Sequence, residues 1–176
     1  PMRKFLILIL LAVLTQSANA LNKSTAIATH ILISKENHNR VRFGADKIQE
    51  ILRKLKIQSQ ISIAEKIKSG NQQVVVGLYS DVIFKNVITD AIRKKVLATG
   101  KEGFYIYNDQ KSVFVIGADA SGALYGCMEL VERIEKEGRI PSLLTITDHP
   151  EMILRGTCIG LQKPDYLPGR DVYEYP

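Results

Sequence analysis

Residues 112–116 read as a strand that runs through Gly117, Asp119 and Gly122 into a helical pattern. A strand that turns through glycines into a helix is where a phosphate can sit, on the free amides of the helix N-terminus. The spacing does not support that chemistry. A phosphate loop needs Lys-Ser/Thr after its second glycine, and here Ala123-Leu124 follow Gly122. Gly117, Gly122 and Gly126 do not make G-x-G-x-x-G either. The pattern instead predicts a strand-to-helix turn in which Gly126 lets the helix approach a neighbour closely.

Paired carboxylates are the next candidates. Asp148/Glu151 and Asp165/Asp171 could serve as acid and base, but such a pair must flank one bond at about 5–9.5 Å. Nothing in their spacing sets that distance, so solvated turn carboxylates are the reading, with no catalytic residue assigned within these 176 residues. His30, His38 and His149 have no ligand spacing. Cys127 and Cys158 read as two buried free thiols, so no metal and no cofactor is expected. Tyr105 and Tyr107 share one face of a strand and could stack a sugar. Packing on the sheet is the preferred reading, in a chain without Trp. One charge stands out: Arg155-Gly156 directly follows the apolar Met152-Ile153-Leu154.

The elements that must position these residues are legible as periodicities. Residues 25–34 alternate as a strand, with Ile27, Ile31 and Ile33 on one face and His30 half-buried on the other. Residues 44–56 repeat apolar positions as an amphipathic helix. Residues 60–64 and 73–79 are strands. Residues 82–98 form a helix capped by Asp81, burying Phe84, Val87/Ile88, Ala91/Ile92 and Val96, with Gly100 as its stop. Residues 104–107 and 112–116 make a hairpin around a 108–111 turn. Asp119 or Ser121 caps a helix to Lys136, with Leu124, Met128, Val131 and Glu135 along one line and Gly138 closing it. Residues 143–147 are a last strand. The order β-α-β-β-α-β-β-α-β predicts an α/β sandwich, one mixed sheet covered by helices.

Both ends depart from this pattern. Residues 1–20 read as a signal peptide: Arg3 and Lys4, an apolar run over 5–14, then Ala18-Asn19-Ala20. The run is too short for a membrane span, which needs about 20 residues. An exported chain, periplasmic or secreted, with no membrane attachment after cleavage is expected. Without Arg3 and Lys4 the net charge falls from +6 to +4, spread over helices and turns with no interleaved aromatics, so no nucleic acid is expected. His149 before Pro150 is biased towards an extended conformation and marks a boundary. The expected domains are a signal peptide at 1–20, an α/β domain at 21–149, and from 150 to 176 the start of something else.

From Glu102 on, the chain resembles a known arrangement. Glu102-Gly103-Phe104, Gly122-Ala123-Leu124-Tyr125-Gly126, then Ile146, Asp148, Pro150 and Arg155-Gly156 occur in the order seen in the small α/β domain preceding the catalytic barrel of glycoside hydrolases. Family 20, the β-N-acetylhexosaminidases, and family 67, the α-glucuronidases, carry such a domain. The resemblance implies that residues 152–158 are the first strand of a (β/α)8 barrel, truncated here, on which the domain packs. It implies that Arg155, at the end of the apolar Met152-Ile153-Leu154 run, is presented to the sugar, since barrel active sites lie at the carboxyl ends of the strands. An Arg can fork two hydrogen bonds to vicinal hydroxyls. The glycan would be reached through the barrel. Glu151 stands where the family has Arg, and Gly160 lies near where it has Asp. The alternative from a different class is a stand-alone carbohydrate-binding module.

Overall fold

The computed structural model describes residues 29–36, 38–67, 72–109, 112–152 and 156. Among them six strands are β1 (Thr29–Ile33), β2 (Ser59–Ile63), β3 (Gln73–Leu78), β4 (Phe104–Asp109), β5 (Ser112–Gly117) and β6 (Thr145–Asp148). Among the described residues three helices are α1 (Asn39–Lys54), α2 (Asp90–Ala98) and α3 (Ala120–Glu137), with a short 3-10 helix at Val82–Phe84. The strands form one sheet in the order β2-β1-β3-β5-β4-β6. β2, β1, β3 and β5 run parallel, while β4 is antiparallel to both β5 and β6. This is the mixed, helix-covered α/β sandwich expected from the alternation of elements.

The period of two along each strand divides the core in two. Ile31, Ile33, Val74, Val76, Val113, Val115, Phe104 and Ile106 face α1 and α3. Leu32, Val75, Phe114, Ile116 and Tyr105 face the 3-10 helix and α2, with Phe84 and Val96 closing that side. The near-continuous Val/Ile runs of β3 and β5 follow from burial on both faces.

Three helical readings need correction. The helix expected over 82–98 is two pieces. Asp81 makes no capping bond to the 3-10 segment, and its carboxylate instead accepts the Leu78 amide at 2.9 Å. Thr89 starts α2 by accepting from the Ile92 amide at 3.3 Å. The apolar spacing misled because Val87, Ile88 and Ile92 press into the same core as Phe84, across the break. α1 begins at Asn39 rather than 44, because His38 Nδ1 accepts the Arg40 amide at 3.1 Å and caps it. On α3, Leu124, Met128 and Glu135 are not the inner line. Ala123, Gly126, Cys127, Leu130 and Ile134 are buried, and Met128 is exposed. The last strand is Thr145–Asp148, with Leu143 exposed outside it.

The small residues on α3 have a steric cause. A methyl on Gly126 would stand 2.8 Å from Val115 Cγ1 and 3.2 Å from the Phe104 ring. A methyl on Gly44 of α1 would stand 2.7 Å from Cys127 Sγ. The helices lie too close to the sheet and to each other for larger side chains. Gly100 and Gly138 end α2 and α3 at φ +73° and +67°, as their positions suggested.

Candidate functional site: the junction of the two motifs

Glu102-Gly103-Phe104 and the turn into α3 meet. Asp119 is the N-cap of α3, and its Oδ1 accepts the Gly122 amide at 2.9 Å. Its Oδ2 accepts the Glu102 amide at 2.9 Å. The Gly103 carbonyl accepts the Ala118 amide at 2.9 Å, and it lies so close to Gly122 that any side chain there would collide with it. Glu102 itself takes φ +62°, a left-handed conformation that costs a non-glycine residue energy and persists only where its surroundings enforce it. Here the Asp119 carboxylate does so.

The helix N-terminus is therefore filled from within the protein. The amide that a phosphate would use at Gly122 is already bonded to a carboxylate, whose charge would repel an anion. The strand-to-helix turn is structural, as the glycine spacing indicated.

On the outside of the same junction lies a cavity of about 510 Å3, lined by Thr99, Lys101, Glu102, Tyr125, His149, Pro150 and Met152. It brings together both motifs and the His149-Pro150 segment. Periodicity could not have found it, because its walls come from three segments distant in sequence. A larger cleft of about 800 Å3 lies at the β2 side, lined among others by His30, Gln60, Ser62 and Gln73. Its polar row follows from the register, in which His30 sits between Gln60 and Gln73.

The other candidates are dispersed. Asp148 is exposed on β6, with its Oδ1 accepting the His149 amide at 2.7 Å, and Glu151 is exposed beyond it. Asp165, Asp171, Cys158 and Arg155 lie outside the described residues, as does residue 153–155 as a whole. Tyr105 is 5% exposed, with Lys95 Nζ 5.3 Å from its ring centroid. Tyr107 stacks on Tyr105 at 5.4 Å and on Phe114 at 4.8 Å. Burial pushes the Tyr107 phenol up to about 12, with Asp109 and Tyr105 adding to the shift. This pair packs the sheet, as preferred, rather than offering an open sugar platform. Cys127 is a buried free thiol, and burial raises its pKa far above the range in which it could act as a nucleophile. Among the described residues no three His, Cys, Asp or Glu side chains converge to hold a metal ion, and no helix is long and apolar enough to cross a membrane.

The Glu-Gly and Gly-Ala-Leu-Tyr-Gly segments are locked together on this sheet, and comparison with known proteins supports an N-terminal accessory domain of glycoside hydrolases. The chain belongs to the family described as glycosyl hydrolase family 67 N-terminus, whose model matches residues 13–130. Among solved structures it is similar to a GH138 enzyme targeting pectin rhamnogalacturonan II. That likeness has 30% identity and a TM-score of 0.60, over 85% of this chain and 19% of that one. CpGH84D shares the fold, with a TM-score of 0.54 at 15% identity over 70% of this chain and 20% of that one. The chain thus spans about a fifth of each of these proteins. No curated protein matches it.

Proposed function

We propose that this chain is the N-terminal, non-catalytic domain of an exported glycoside hydrolase of the α-glucuronidase type, acting in polysaccharide degradation. The observation that carries this is the family 67 match over residues 13–130. Of the two enzyme families that the sequence resembles, it favours uronide over N-acetylhexosaminide chemistry. The GH138 neighbour, which targets a pectin, supports a polysaccharide substrate. Export rests on the basic start, apolar run and Ala18-Asn19-Ala20 of residues 1–20.

In this reading the accessory domain spans 21–149 and the barrel starts after it, with residues 152–158 as its first strand. Arg155, directly after the apolar Met152-Ile153-Leu154 of that strand, then forks onto two hydroxyls of the bound sugar. In this reading cleavage belongs to the barrel, which would hold the acid and its partner across the scissile bond. The test is hydrolysis, by the full-length polypeptide, of aryl α-uronides beside aryl N-acetyl-β-hexosaminides. Turnover of the uronides alone is expected. Turnover of the hexosaminides alone would reverse the choice of family, and turnover of neither would remove the hydrolase reading.

A further inference from the structure

The inward side of the Gly122-Ala123-Leu124-Tyr125-Gly126 segment is accounted for by Gly103, Phe104 and Val115, which its glycines approach. Tyr125 points the other way. It is 39% exposed and helps to wall the 510 Å3 cavity together with Met152, which is 68% exposed. Met128, three residues further along α3, is exposed too. Residues three apart are neighbours on a helix surface, so Tyr125 and Met128 form one patch. An aromatic ring and two thioethers, rimmed by Lys101, Glu102 and His149, have the mixed apolar and polar character of surfaces between domains of one polypeptide. The Asp119 carboxylate ties the wall carrying Glu102 to the start of the helix carrying Tyr125.

The chain itself says what reaches this surface first. Pro150 and Met152 line the cavity, so the described main chain reaches its rim at Met152. A short tether holds the following polypeptide at an effective concentration on the order of millimolar, which a second copy or a free partner must outcompete. We propose that the Tyr125–Met128–Met152 face and its cavity are the seat of the domain into which the polypeptide continues. This rests on the reading of the chain as the N-terminal domain of a barrel enzyme.

The test uses the full-length polypeptide with p-benzoylphenylalanine replacing Tyr125, irradiated and mapped by peptide mass spectrometry. An intrachain crosslink to residues beyond 152 is expected. A crosslink to a second copy, or none, overturns the proposal. Thermal unfolding gives an independent readout. Tyr125→Asp should lower the transition of the full-length protein by about 2–4 °C or more, or split it in two, while Phe43→Asp, on the exposed side of α1, should leave it single and in place. Equal effects of the two substitutions also overturn it. An inactive polypeptide that still gives the intrachain crosslink would remove the hydrolase reading and keep the seat. An active enzyme that gives none would do the reverse.

Discussion

The carboxylate of Asp119 accepts the backbone amide of Glu102 at 2.9 Å, across 17 residues of sequence, while its other oxygen caps α3 at Gly122. One side chain thereby joins the two segments by which the sequence resembles glycoside hydrolase domains. Asp119→Ala removes a helix cap and leaves the Glu102 amide without its acceptor. The expected loss is about 2–4 kcal/mol. Asp119→Asn keeps one acceptor oxygen, so it should recover roughly half of that. Urea denaturation of the three proteins checks the order. An alanine variant as stable as the parent would show that the tie is incidental.

Lys56 ends α1 in a conformation suited to glycine. Its φ is +60°, its amide donates to Arg53 O at 3.0 Å, and the Ile57 amide donates to Leu52 O at 2.9 Å, the two bonds of a Schellman motif. The Lys56 side chain is exposed and in no described ion pair. Lys56→Gly should therefore raise stability by about 0.5–1 kcal/mol. Chemical denaturation measures it, and a loss of stability would contradict the assignment.

The succession of strands and helices was legible because β3 and β5 are buried on both faces and read as Val/Ile runs, while Gly100, Asp119 and Gly138 punctuate the helices. The α3 stripe was not. Bulk marks a core face only where space allows, and here Gly126 and Cys127 lie against Val115 and Gly44 at distances that exclude bulk. The 82–98 break was hidden because both sides of Thr89 feed one core, although Thr89-Asp90 is itself a helix-start signal. At the candidate site, each motif was visible alone. Their meeting through Asp119 was not, since it depends on the register of the β4–β5 hairpin: Asn108 and Asp109 belong to β4 rather than to the expected 108–111 turn, which sets Phe104 opposite Gly117.

Asp81 supplies a pH test. Burial raises its pKa above the ordinary aspartate value of about 3.9; the Leu78 amide opposes the shift and Glu36 adds to it. A raised folded pKa means that ionisation costs the folded state, so stability from this group is lost as pH rises from the ordinary value through the folded one. Asp81→Asn keeps an acceptor for the Leu78 amide without the charge. It should match or exceed the parent in stability at pH 7, and any gain should vanish below about pH 3.5. Denaturation midpoints across pH 3–7 check this, and a variant weaker at pH 7 than at pH 3.5, relative to the parent, would contradict it.

Arg155 in the full-length protein tests the proposed sugar contact. Arg155→Lys keeps the charge and loses the fork. One charged hydrogen bond is worth about 1.5–3 kcal/mol, so kcat/KM should fall roughly ten- to 150-fold with little change in Tm. Unchanged kinetics would rule out the contact, and a large fall in Tm with unchanged kinetics would indicate a structural ion pair.

The central claim is that this chain belongs to a glycoside hydrolase but does not itself cut glycosidic bonds. The most direct measurement is aryl α-uronide hydrolysis by the 176-residue chain and by the full-length polypeptide, side by side at equal concentration. The account predicts turnover by the full-length protein and none by the chain alone. Turnover by the chain, abolished by replacing one of its own carboxylates such as Asp148 or Glu151, would contradict it.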